Sequence, residues 1–101
     1  EQQAVVYLQN KGYTIVDRNF TIPLGEIDII AQKDGILVFI EVKSRKNVLF
    51  GFPEIAVNAS KQRKIKAVAE IYLEMQSKTT DIRFDILSIT PDEIFHIEDA
   101  F

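Results

Sequence analysis

The sequence predicts one α/β domain with a mixed central sheet flanked by helices, and three observations carry that expectation. Two runs that alternate apolar and polar residues, 26–32 and 36–43, flank the turn Lys33-Asp34-Gly35. A longer stretch, 59–76, repeats its apolar residues at helical spacing, and two more alternating runs, 81–89 and 94–97, follow it. At 101 residues the chain is long enough to bury one core but not two, so 1–101 reads as a single domain.

Taken in order, residues 1–11 place Ala4, Val5 and Leu8 on one face of a short helix that Lys11-Gly12 stops. Residues 13–20 hold Ile15, Val16 and Phe20 among polar neighbours and read as a first strand, broken by Pro23-Leu24-Gly25. The second and third strands form a hairpin about Asp34, with Gly35 free to take a positive φ. Paired residues should then sum to about 68, subject to a slip of one, which sets Asp28 near Ile40 or Glu41 and Glu26 near Val42 or Lys43. One face of the hairpin is apolar through Ile27, Ile29, Ala31, Val38, Ile40 and Val42; the other adds Ile30, Leu37 and Phe39 to the charged residues. Residues 44–52 show no period and read as a loop, after which Pro53 opens a helical turn through Val57. Asn58 is the expected N-cap of a helix to Gln76, with Ile65, Val68, Ala69, Tyr72, Leu73 and Met75 as its buried stripe. A fourth strand alternates Ile82, Phe84 and Ile86, and Pro91-Asp92-Glu93 turns the chain into a short fifth.

Composition narrows the chemistry. Cysteine is absent and His96 is the one histidine, so disulfides, thiolate metal sites and histidine clusters are excluded, and any metal must be held by oxygen. No apolar run is long enough to span a bilayer, and no membrane partner is expected. The chain begins at Glu1 rather than methionine and lacks an apolar signal segment; it reads as a trimmed portion of a cytoplasmic protein. The net charge of -3 argues against a protein whose main task is to coat nucleic acid, but the distribution points the other way. Seven basic residues (Lys43, Arg45, Lys46, Lys61, Arg63, Lys64, Lys66) stand against Glu54 alone between positions 43 and 66. A basic patch beside carboxylates suits an enzyme that draws phosphates towards a site that is negative until metal arrives.

The carboxylates lie in Gly25-Glu26-Ile27-Asp28 and in Phe39-Ile40-Glu41-Val42-Lys43. Period-two alternation projects Glu26 with Asp28, and Glu41 with Lys43, from one face each, and neighbouring strands would bring them together. Adjacent like charges repel unless a divalent cation sits between them, which points to metal-dependent phosphodiester cleavage. The alternative is a solvated charge stripe on a sheet edge, where lysine is common, and the basic helix start has an equally ordinary reading as a solvated face. Gln62 reads as a capping-turn residue and His96 as a surface or packing histidine. A non-catalytic nucleic-acid-binding or adaptor protein is the second functional expectation, with affinity set by Lys46, Lys61, Arg63 and Lys64. A small-molecule enzyme has little support, since there is no glycine-rich phosphate loop and no nucleophile motif.

Glu26-Ile27-Asp28, Glu41-Val42-Lys43, Phe50-Gly51-Phe52-Pro53, Lys61-Gln62-Arg63 and Arg83-Phe84-Asp85, in that order, resemble the YraN family of small bacterial proteins over nearly the whole chain. That family is similar to the restriction-endonuclease-like superfamily and to archaeal Holliday junction resolvases. The resemblance implies an αβββαβ core, Asp28 and Glu41 as metal ligands, Lys43 as the catalytic lysine, and Glu1 as the first-helix glutamate that completes such sites. The superfamily's Pro-Asp pair is replaced here by Ile27-Asp28, and Glu26 is an additional acid. The expected reaction is Mg2+- or Mn2+-dependent hydrolysis of DNA, with the main-chain carbonyl of Val42 as third ligand and Glu26 as outer ligand or base. Lys43 would orient the attacking water, and Arg45, Lys46, Lys61, Arg63 and Lys64 would hold nucleic acid. Resolvase-like members are symmetric dimers, which marks residues 44–52 and the C-terminal strand as the homodimer surface.

Overall fold

A computed structural model describes residues 2–44, 57–77 and 79–101. The elements run α1 (Gln2–Asn10), β1 (Thr14–Ile22), β2 (Gly25–Lys33), β3 (Ile36–Ser44), α2 (Ala59–Met75), β4 (Asp81–Ile89) and β5 (Ile94–Ile97). This is the expected order. The expected helical turn from Pro53 falls almost wholly outside the described residues; Val57, at its end, is non-helical.

The five strands form one sheet in the order β1-β2-β3-β4-β5. β1, β2 and β3 are antiparallel neighbours, β3 and β4 are parallel, and β4 and β5 are antiparallel. The parallel pair is what a strand–helix–strand connection through α2 demands. The β2–β3 turn puts both Asp34 (φ 53) and Gly35 (φ 78) in the left-handed region. Two such residues make the tight two-residue hairpin whose twist matches that of its strands. Its partners sum to 69, from Lys33↔Ile36 to Ile29↔Ile40, one of the two registers open to the sequence.

α1 ends in a Schellman cap, with Gly12 at φ 93, its N–H donating to Gln9 O at 3.0 Å and the Tyr13 N–H to Leu8 O at 2.9 Å. The cap turns Tyr13 back onto Leu8, and both join a buried cluster with Ile29, Ala31, Val38, Ile40, Leu87 and Ile89. The opposite face of the sheet packs on α2, where Ile65, Val68, Ala69 and Tyr72 meet Ile27, Ile30, Leu37, Phe39, Phe84 and Ile86. Gly25 lets the start of β2 come close to that helix, since a Cβ there would lie 3.3 Å from Val68 Cγ2.

Two expectations are corrected. Met75 is 61% exposed and not part of the buried stripe; it is the last residue of α2, and the buried stripe ends at Tyr72. Ile27 packs with Ile30 on the α2 side and not with Ile29. Alternation breaks between Ile27 and Ile29: the β1–β2 ladder keeps its register from Arg18↔Ile29 to Phe20↔Ile27 but lacks the Asn19↔Asp28 pair, with Asn19 at φ 53, while the register shift of that ladder lies further along, between Ile15 and Asp17.

Candidate active site

The irregularity at Asp28 builds the site. Beyond Ile29↔Ile40 the β2–β3 ladder stops, and the Val42 N–H donates to Asp28 Oδ2 at 2.8 Å in place of a main-chain carbonyl. From Asp28 and Glu41 onwards no β2–β3 pair forms, although β3 runs on beside β4 to Ser44. Here lies a cavity of about 540 Å³, lined by Glu26, Asp28 and Glu41 from the sheet and by Asn58, Ser60, Lys61 and Lys64 from the start of α2.

α2 is aimed at this cavity by its cap. Asn58, extended at φ -67 and ψ 161, accepts from the Lys61 N–H at 2.8 Å, as its place in the sequence predicts. Gln62 donates from Nε2 to Val57 O at 2.7 Å, which ties it to the capping turn. With its backbone held, Lys61 reaches back and its ammonium pairs with Glu41 Oε2. Glu41 is 7% exposed, whereas the Lys61 side chain is 53% exposed. The hydrogen bond to Glu41 raises the Lys61 pKa above its ordinary value; partial burial opposes this, and the fields of Glu41, Asp28 and Glu26 add to it. The ammonium therefore lies within the field of all three carboxylates.

The other expected residues take distinct places. Glu26 is exposed on the cavity wall and accepts from Thr21 Oγ1 at 3.2 Å. Lys43 is half-buried two residues after Glu41 on β3, level with Ser88 of β4, and is not part of the cavity lining. Arg63 is exposed on α2 away from the cavity, while Lys64 is at its wall. Glu1, Arg45 and Lys46 lie outside the described residues, as do Phe50, Gly51, Phe52 and Pro53. Among the described residues no group of three or more His, Asp or Glu side chains is close enough to hold a metal ion unaided, and none of the helices is long and apolar enough to cross a membrane.

A second polar cluster lies on the α1 side. Asp85 is fully buried; its Oδ1 accepts from Arg83 Nε at 2.8 Å and from the Asp99 N–H at 3.0 Å. Its Oδ2 accepts from an Arg83 terminal nitrogen at 2.8 Å and is 2.7 Å from His96 Nε2. The same Arg83 nitrogen donates to Tyr13 Oη at 2.7 Å, and His96 Nδ1 lies 3.3 Å from Tyr7 Oη. An ionised Asp85 only accepts, so Nε2 donates to it, and an Nδ1 that carries no proton accepts the hydrogen bond of the Tyr7 hydroxyl. Burial alone would raise the Asp85 pKa, but the hydrogen bonds from His96, Arg83 and Asp99 outweigh it and hold the carboxyl below its usual value. His96 is thus a packing residue with a defined ionic partner. The signal was present in the sequence: Arg83 and Asp85 share a strand face with Leu87 and Ile89, and charges on a buried face need partners.

A profile described as the uncharacterised protein family UPF0102 matches residues 1–89. The UPF0102 protein of Thermodesulfovibrio yellowstonii is 48% identical over 101 residues, spanning 100% of this chain and 90% of its own. That of Persephonella marina is 46% identical over 102 residues, spanning 100% and 88%, and that of Dictyoglomus thermophilum 49% over 90 residues, spanning 88% and 76%. The chain belongs to the UPF0102 family, which is the YraN family.

Proposed function

We propose that this chain is a Mg2+- or Mn2+-dependent nuclease that hydrolyses phosphodiester bonds in DNA, branched or single-stranded forms included, on a restriction-endonuclease-like core similar to that of Holliday junction resolvases. The observation that carries this reading is the carboxylate of Asp28 inside the β2–β3 ladder, opening a cavity where Glu41 is buried and two lysines face it. A hard cation needs converging oxygens beside a path for phosphate, and this cavity puts carboxylates and lysines on one wall.

The oxygen donors on the cavity wall are of the kind such an ion takes. Asp28 and Glu41 would hold it, with the Val42 carbonyl between them in sequence, and waters and phosphate oxygens would complete the shell, as is usual for Mg2+. Glu1 would be a further ligand from the first helix. When bound, the ion supplies an acidified water and neutralises charge on the phosphate. Lys43, on the face of β3 that carries Glu41, would orient the attacking water and stabilise the negative charge that develops. Glu26, exposed at the wall, is placed to take up a proton or to order outer waters. Lys64 and Lys61 at the cavity, Arg63 on the outer surface of α2, and Arg45 and Lys46 would contact the nucleic-acid backbone. We read the protein as cytoplasmic and as a homodimer whose two sites serve the two strands of a junction.

A non-catalytic nucleic-acid binder is the second reading, favoured by the occupation of the site by Lys61 and by the lack of a complete side-chain ligand group among the described residues. Cleavage assays on single-stranded, duplex and four-way-junction DNA with Mn2+ separate the two. The nuclease reading expects cleavage that falls by on the order of 100-fold in Lys43→Ala and is lost in Asp28→Asn. Salt-sensitive binding with no cleavage by the parent protein on any of these substrates supports the binder.

A further inference from the structure

We propose that Lys61 is a built-in counter-ion of the site: its ammonium, paired with Glu41 on the wall of a cavity that Asp28 and Glu26 also line, supplies the positive charge that a divalent cation would bring, and it must leave when the ion enters. The inference rests on the metal-site reading above. Three features support it. Glu41 is 7% exposed, and Lys61 supplies its ion pair. A buried carboxylate without a cation is costly, and a single flexible lysine satisfies it without fixing a rigid geometry. The Lys61 backbone is anchored by Asn58 at 2.8 Å, so the ammonium reaches and leaves the site by side-chain rotation alone, with α2 and its cap in place. The side chain is 53% exposed, so its outward path is open, and at the cavity wall Lys64 marks where a phosphate would meet it.

The exchange sets the metal's apparent affinity. An ion can bind only the fraction of molecules in which the ammonium has swung out, so the dissociation constant is raised in inverse proportion to that fraction. Lys64 lines the same cavity with the same charge, but the pair with Glu41 belongs to Lys61. Occupancy and general field are therefore separable.

Calorimetric titration of Mn2+ into the parent, Lys61→Met and Lys64→Met, with Asp28→Asn/Glu41→Gln as the silent control, reads the difference. Lys61→Met should tighten Mn2+ roughly tenfold and Lys64→Met by no more than about twofold. Lys61→Gln, which removes the charge but leaves Glu41 a hydrogen-bond donor, should move in the same direction and serves if the methionine variant fails to fold. Unchanged or weaker binding in the Lys61 variants, with the parent binding and the control silent, overturns the counter-ion and leaves the metal site standing. Equal tightening in the Lys61 and Lys64 variants also overturns it, since net charge alone would then be responsible. No uptake by the parent or by any Lys61 variant overturns the metal site and this inference with it.

Discussion

Asp85 and Glu41 are buried carboxylates on opposite faces of one sheet, 0% and 7% exposed, and the protein treats them in opposite ways. Asp85 is surrounded by donors from β4, β5 and the C-terminal segment, and its Arg83 and His96 partners reach on to Tyr13 and to Tyr7 of α1. Glu41 is paired with one lysine that is half in solvent, at the wall of a cavity shared with two more acids. A closed network ties elements together and leaves no room for a ligand. An open one holds charge in reserve for something that is not part of the chain. The contrast separates an acid enclosed by its partners from one open to a cavity, although both stand on neighbouring strands.

Substitution should break this comparison most sharply at Asp85. Asp85→Ala leaves Arg83 without its buried partner and is expected to cost about 3–5 kcal/mol, a large share of the stability of a small domain. Glu41→Gln should change stability by within about 1 kcal/mol, because its partner is solvated. Urea unfolding of both variants checks the pair of values; similar losses at the two positions would erase the distinction.

Acid sharpens it further. The Asp85 carboxyl is held below its ordinary value, so its contribution is present above the unfolded-state pKa and is lost as pH falls through the folded one. Urea midpoints measured downwards from pH 6 should therefore show a constant gap between parent and Asp85→Asn until about pH 4, and a narrowing gap below it. A gap that widens in acid would mean that the Asp85 carboxyl is protonated less readily in the unfolded chain than in the folded one.

Much of the fold was legible because local rules and tertiary packing agree. The turn at Asp34-Gly35, the Asn58 cap and the α2 stripe follow from conformational freedom, hydrogen bonding and helical period. The site was legible as residue types, and the two strands do bring Glu26, Asp28 and Glu41 to one cavity. The break in alternation at Asp28 was not, since a carboxylate that replaces a ladder carbonyl depends on the neighbouring strand. Lys61 as the partner of Glu41 was hidden for the same reason: the two are twenty positions apart and meet only through the crossover. The sequence left His96 as a surface or a packing residue, and its anchoring of Asp85 needed the β4–β5 register to be known.

The central claim is that the open acidic cavity is a metal site and the closed network is not. Calorimetric titration of Mn2+ into the parent and into Asp28→Asn/Glu41→Gln, with urea midpoints on the same samples, tests it most directly. Saturable uptake by the parent that vanishes in the double variant, at nearly unchanged stability, is the predicted result. Uptake that survives in the double variant, or a parent that takes up no ion even with DNA present, would contradict it.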